Sequence, residues 1–312
     1  MTIAITGASG FIGSHTAAHL VAAGHAVRAL TRGGKALPPG VAPVPGDLTA
    51  ATPDALAAFA DGADVLIHAA GEVRDAARME ALHVHATRRL ADAAAGRVGR
   101  WVQVSSTGVY GPVRAGVVTE ASPEQPVGPY EATKGASDAI VRRAAAEGEF
   151  EAVVVRPSIV FAADMPNDSL RQLVGLVRRG LFAFVGPPGA SATYVHVADV
   201  AAALAACAER AEAAGAVYNL SGWTTLERFV AALASGAGVA APSRRLPEAL
   251  ARLAGRVGDH VRHVPITTAR VDALTSRVRY STARIEADLG YAPHEPLEAS
   301  AASVAAVWTA RT

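Results

Sequence analysis

The chain has 312 residues, 51% of them apolar and 18% charged, with a formal net charge of +1. That length suits one large α/β unit plus a smaller lobe, and the near-neutral charge excludes a broad electrostatic attraction to nucleic acid. A single cysteine, Cys207, excludes a disulfide framework, and 5% aromatic content argues against stacking platforms for single strands.

In chain order, Ile3 to Thr6 reads as a first buried strand and Ser14 to Ala23 as the helix after it. Between them runs Thr6-Gly7-Ala8-Ser9-Gly10-Phe11-Ile12-Gly13. Gly7 permits a tight turn, Gly10 lets backbone approach a pyrophosphate, and Gly13 lets the helix sit close to the sheet. The helix N-terminus then offers unpaired N–H groups and a positive dipole end to phosphate. The spacing differs from the commoner G-x-G-x-x-G, but its position between strand and helix reads as a dinucleotide grip.

Ala26 to Leu30 is predicted as a second strand, Val41 to Pro45 as a third, Pro53 to Phe59 as a short helix and Val65 to His68 as a fourth strand. Met79 to Ala95 is predicted as one helix. Val102 to Val104 is a strand stopping at Ser105-Ser106, Lys134 to Glu147 a helix, and Ala152 to Val155 the next strand. Such alternation predicts an α/β fold, a doubly wound parallel sheet with helices on both faces and ligands at the carboxyl ends of the strands. Thr6, Leu30, His68, Ser105 and Arg156 fall at or near those ends.

After Pro157 the pattern loosens. A helix is expected from Ser169 to Arg179, an ordered unit from Tyr194 to Val200, and a late strand from Val217 to Leu220. The stretch from Pro242 to Thr282 is rich in arginine and poor in strand signals. Ser281 to Leu289 reads as a helix, and another follows Pro296. The expected division is a cofactor-binding domain of residues 1–160 and 193–235, with a discontinuous substrate lobe of residues 161–192 and 236–312. Without a basic, cleavable leader or an apolar run of about eighteen residues, a cytoplasmic protein with no membrane insertion is expected. A homodimer is compatible with the sequence. Cys207 reads as a small buried side chain.

Tyr130 and Lys134 are four apart, and a helical turn brings such positions to one face. An ammonium beside a phenol favours phenolate, so the tyrosine can exchange a proton with a carbonyl or alcohol oxygen. Ser106, at a strand end, can hydrogen-bond the same oxygen. No spacing of His and Asp compels a metal site, and hydride chemistry needs none.

With the glycine loop, His68-Ala69-Ala70, Val104 to Gly111, Tyr130-Glu131-Ala132-Thr133-Lys134, Arg156-Pro157, Val195 to Ala201 and Ala283 to Pro293, the chain resembles the extended short-chain dehydrogenase/reductases, the NAD-dependent epimerase/dehydratase family. The resemblance runs nearly end to end and implies a Rossmann-like fold with NAD or NADP as cofactor. It implies Tyr130 as acid/base, Lys134 as its partner and ribose contact, and Ser106 as hydroxyl donor. It also implies that Asp47 and Leu48 border the adenine and that the Ala69 and Ala70 backbone runs past the cofactor. Where the family carries a supporting asparagine this chain has His83, a support candidate. It has Thr107-Gly108 where 4,6-dehydratases of the family carry an Asp-Glu pair, which removes that reaction.

No carboxylate lies between Arg28 and Lys35, so nothing there matches the acid that would hold the ribose of NAD. Arg32 is placed to pair with a 2′-phosphate, which favours NADP over NAD. The expected activity is NADPH-dependent reduction of a keto group on a nucleotide-linked sugar. The alternatives are an NAD-dependent 4-epimerase of such sugars and a reductase of a small or steroid-like ketone. Arg178, Arg179, Arg244, Arg245, Arg262 and Arg270 are candidate partners for a substrate diphosphate.

Overall fold

The computed structural model describes residues 1–260 and 267–310, so Arg262 lies outside the described residues. The first half contains β1 (Thr2–Thr6), α1 (Phe11–Ala22), β2 (Ala26–Thr31), β3 (Ala42–Pro45), α2 (Pro53–Ala60) and β4 (Val65–His68). Then come α3 (Ala76–Met79), a π-helical turn over Glu80–Ala86, and α4 (Thr87–Ala94), where a single helix was predicted. Such wide turns gather at functional sites. This one carries His83 inward, where backbone and side-chain partners hold its ring.

β5 (Arg100–Val104), a 3-10 turn over Thr107–Tyr110, β6 (Ala115–Val118), α5 (Pro129–Ala146), β7 (Glu151–Pro157) and β8 (Ile159–Phe161) follow. α5 begins at Pro129 rather than Lys134. Proline suits the first helical turn, where its missing N–H has no intrahelical acceptor to serve. Tyr130 therefore stands on the helix and not in the loop before it.

The second half holds α6 (Ser169–Arg178), β9 (Phe184–Val185), β10 (Ser191–Ala192), β11 (Tyr194–His196), α7 (Val197–Glu209), β12 (Val217–Leu220), β13 (Thr224–Thr225) and α8 (Leu226–Gly236). It ends with β14 (Arg245–Leu246), α9 (Glu248–Gly258), α10 (Thr268–Thr275), β15 (Arg277–Tyr280), α11 (Ala283–Leu289) and α12 (Leu297–Ala310).

Seven parallel strands form the main sheet in the order β12-β7-β5-β4-β1-β2-β3. The order reverses between β1 and β4, which opens a crevice at their carboxyl ends. Side chains alternate across the sheet as the two-residue period requires. Ile3, Ile5, Ile67, Val102 and Val155 enter one core with Ala17, Leu20, Leu204 and Cys207. Ala4, Leu66, Trp101 and Ala152 enter the other with Leu56, Phe59, Leu90 and Val141. Burial raises the Cys207 thiol to about 12, as expected of an inert core cysteine.

The accessory lobe is held by short pairings between distant segments. β14 pairs with β9, and β15 with β6, although the sequence around both carries little strand signal. A third core joins Leu170 and Val174 of α6, Phe229 and Leu233 of α8, and Val304 and Trp308 of α12. Among the described residues, no helix is long and apolar enough to cross a membrane.

Candidate active site

The glycine loop is set by backbone contact. Gly7 has φ +74°, and a Cβ there would stand 2.6 Å from the Ala69 carbonyl and the Ala70 nitrogen. A Cβ at Gly13 would stand 2.2 Å from the Gly7 oxygen. Any larger residue would push the loop off β4 or α1 off the loop. Gly10 caps α1 without a side-chain hydrogen bond, and its own N–H reaches the Gly7 carbonyl at 2.8 Å. The first-turn N–H groups of Phe11, Ile12 and Gly13 therefore point at the crevice with no side-chain cap, the arrangement an anionic diphosphate fits. Ser9 is half-buried in the same loop.

At the far side of the crevice, Asp47 accepts from the Thr49 N–H and hydroxyl at 2.9 and 2.7 Å. Those bonds hold its carboxyl below the usual range, with the Arg32 and Arg78 charges adding to the effect. Leu48 is buried, and its carbonyl accepts from Arg89 Nη2 at 2.7 Å. Arg89 is a strut of this loop that sequence reading missed. Arg32 is exposed just beyond the end of β2.

Tyr130 lies half-buried in the first turn of α5, with the Ser106 hydroxyl near enough to lower its phenol. The Ser106 oxygen accepts the Gly108 N–H at 3.0 Å, which fixes it at the start of the 3-10 turn. Burial raises the phenol above its ordinary range, the Ser106 hydroxyl opposes this, and Glu131 and Asp138 add to it. The phenolate expected from the neighbouring lysine thus gives way to desolvation: Tyr130 is held protonated. Lys134 is buried, donates to the Val104 carbonyl at 2.5 Å, and is pushed down to about 8 by burial while Asp138 opposes the shift.

His83 is buried, whereas His85 of the same turn is exposed. Nε2 of His83 accepts the Glu72 N–H at 2.9 Å, so Nδ1 carries the proton and donates to Thr133 Oγ1 at 2.8 Å. The Thr133 hydroxyl in turn donates to the Pro129 carbonyl at 2.8 Å. His83 thereby ties the loop after β4 to the first turn of α5, and its ring meets the Tyr130 ring edge-on with centroids 5.8 Å apart. Burial lowers it to about 4, with the Lys134 charge next, so it stays neutral near neutrality.

Beneath this layer lies a buried cluster that sequence reading missed. Asp138, one helical turn beyond Lys134, accepts from the Ser105 hydroxyl at 2.7 Å and from Arg156 Nη2 at 3.2 Å. Arg156 also donates to Glu124 at 2.6 Å and to the Tyr110 oxygen at 3.1 Å, and Tyr110 donates to Asn219 at 2.8 Å. The signal was the four-residue step from Lys134 to Asp138, together with an arginine inside an apolar strand. His196 caps α7 through Nδ1, and Asp199 in the first turn of α7 accepts from the N–H and ring of His294.

Most of the candidate diphosphate arginines among the described residues are already engaged within the protein. Arg245 is paired with Glu227 at 2.8 Å and donates to the Gly186 carbonyl. Arg179 donates to the Gly175 carbonyl within its own helix end, and Arg178 and Arg270 have partners too. Arg244 is exposed.

Residues 3–221 match the model of the NAD dependent epimerase/dehydratase family. A ketoreductase of 4-hydroxy-2-methyl-3-oxo-4-farnesyl-3,4-dihydroquinoline-1-oxide from Stigmatella aurantiaca is 31% identical over 283 residues, covering 86% of this chain and 83% of that protein. Among solved structures, MoeE5 in complex with UDP-glucose and NAD is 26% identical with a TM-score of 0.74, covering 100% and 99% of the two chains. RMD from Pseudomonas aeruginosa complexed with NADPH is 25% identical with a TM-score of 0.70, covering 99% of each. The chain therefore belongs to the NAD dependent epimerase/dehydratase family, within the extended short-chain dehydrogenase/reductases, and is an NAD(P)-dependent oxidoreductase or epimerase.

Proposed function

We propose that this chain reduces a ketone on a largely apolar substrate, with NADPH as hydride source and Tyr130 as proton donor. The observation that carries the reading is the half-buried Tyr130 in the first turn of α5, one turn before buried Lys134 and edge-on to His83, with its phenol held above the ordinary range by burial. Reduction of a carbonyl needs an acid at the oxygen, and a phenol held above its ordinary range is poised to give that proton. When bound, the reduced nicotinamide supplies the hydride. Ser106 donates a hydrogen bond to the oxygen as negative charge develops there. Lys134 holds the ribose and stabilises the tyrosine once it has lost its proton. Gly7, Ser9, Gly10, Phe11, Ile12 and Gly13 cradle the diphosphate, Asp47 and Leu48 border the adenine, and the Ala69 and Ala70 backbone lines the path between. Arg32 pairs with the 2′-phosphate, which selects NADP over NAD.

Three observations support an apolar substrate. Val73 after β4, Val127 before α5 and Ile159 after β7 are exposed apolar residues at the open end of the sheet. Arg245 is already neutralised by Glu227, so it offers little to a diphosphate. The Stigmatella relative is named for a farnesylated ketone substrate. Nucleotide-sugar 4-epimerisation with NAD is the second reading, favoured by the likeness to MoeE5 with UDP-glucose and NAD. A keto group on a nucleotide-linked sugar, the first expectation from sequence, ranks below both. We assign residues 1–160 and 193–235 to cofactor binding and residues 161–192 and 236–312 to substrate.

Cofactor turnover separates these readings. Reduction consumes NADPH one-for-one with an apolar ketone. Interconversion of two sugar nucleotides without net cofactor consumption would replace the proposal with the epimerase.

A further inference from the structure

α9 is built inside out. Its buried residues are small: Ala251, Gly255 and Gly258. A Cβ at Gly255 would stand 3.1 Å from the Thr268 nitrogen, so α9 and α10 meet at backbone distance. Its large apolar residues face the other way. Leu250 and Leu253 are each 61% exposed, Val257 is 52% exposed, and Leu246 of the preceding β14 is 42% exposed. Positions 250, 253 and 257 share one helical stripe. Single exposed leucines are ordinary, but a stripe of them marks a surface that something covers.

The charge of the segment indicates what covers it. Residues 242–282 carry eight arginines against three carboxylates, and although Arg245 and Arg252 are paired with Glu227, Glu248 and Asp272, exposed cations remain beside the stripe. Arg244 and Arg256, exposed, stand towards opposite ends of the stripe. A second copy docking through this face would bring Arg244 and Arg256 against like charge, which repels. An anionic lipid surface answers both the apolar stripe and the positive charge.

We propose that α9 seats the protein on an anionic phospholipid surface, with Leu250, Leu253 and Val257 entering the headgroup region and Arg244 and Arg256 meeting lipid phosphates. This is peripheral contact: an 11-residue helix is too short to span. The inference stands on the surface alone, whichever ketone the enzyme reduces.

The test is co-sedimentation of the full chain with phosphatidylcholine vesicles, with and without phosphatidylglycerol. The protein is expected to pellet with the phosphatidylglycerol vesicles and to be released by high salt. The double variant Leu250→Gln/Leu253→Gln should bind at least about tenfold more weakly while keeping the wild-type melting temperature and NADPH affinity. Arg244→Glu/Arg256→Glu should lose binding to the anionic vesicles alike. Absence of binding to either vesicle overturns the proposal. So does a wild-type dimer that Leu250→Gln/Leu253→Gln converts to monomer, since the covering partner would then be a second copy.

Discussion

At the β1–α1 loop, glycines touch backbone: the Gly7 and Gly13 positions leave no room for a Cβ beside Ala69, Ala70 and the loop itself. In α9, glycine and alanine also face inward, but there the large residues they displace are turned to the surface. The first region is governed by contacts among residues close in sequence or on adjacent strands. The second is governed by a neighbour, α10, that local sequence does not announce. A glycine pattern between a strand and a helix therefore states its own geometry, whereas an apolar helical stripe states only that something covers it.

The comparison can be pressed hardest beneath the site, where packing is neither local nor apolar. Asp138→Ala leaves Arg156 buried without its inner carboxylate and Ser105 without its acceptor. Stability should fall by about 3–5 kcal/mol in denaturant unfolding. A loss under about 1 kcal/mol would mean that Glu124 alone holds the guanidinium.

Next in size is cofactor choice. Arg32→Ala should cost roughly 1.5–3 kcal/mol of NADPH affinity, at least about tenfold, and leave NADH affinity unchanged in calorimetry. Equal losses for both cofactors would remove the 2′-phosphate role.

Gly13→Ala sets a new Cβ against the Gly7 carbonyl and should cost about 1–3 kcal/mol of stability. Leu250→Gln on the exposed stripe should stay within about 0.5 kcal/mol. Similar melting temperatures for the two variants would erase the contrast between the regions.

The pH profile gives a separate check. Lys134 is lowered to about 8 by burial, so its ammonium is present below that pH and is lost as pH rises through it. Tyr130, shifted upward, keeps its proton over the same range. The kcat/KM for reduction should therefore hold level to about pH 8 and then fall about tenfold per unit. A profile that rises above pH 8 would instead make phenolate the working form.

Much of this was legible in the chain. The glycine loop, the Tyr130–Lys134 step and the Ser106 strand end each follow from local spacing, and the seven-stranded parallel sheet follows from the alternation of strand and helix. His83 could be marked as a support, but not the π-helical turn that carries it, because helical periodicity over Met79 to Ala95 reads as one unbroken helix. The cluster of Asp138, Arg156, Glu124 and Tyr110 draws on α5, β7 and two loops, and no spacing in the chain joins them. α9 lies in the arginine-rich stretch for which no helix is predicted, and its small residues, not its leucines, face inward.

The central claim is that Tyr130 gives the proton that completes hydride reduction of a ketone. Single-turnover oxidation of NADPH by an apolar ketone, with wild type beside Tyr130→Phe, tests it most directly. One NADPH should be consumed per alcohol formed, and the variant's rate should be lower by roughly 10²–10⁴-fold with cofactor affinity retained. Near-wild-type turnover by Tyr130→Phe, or product formed without net NADPH consumption, would contradict it.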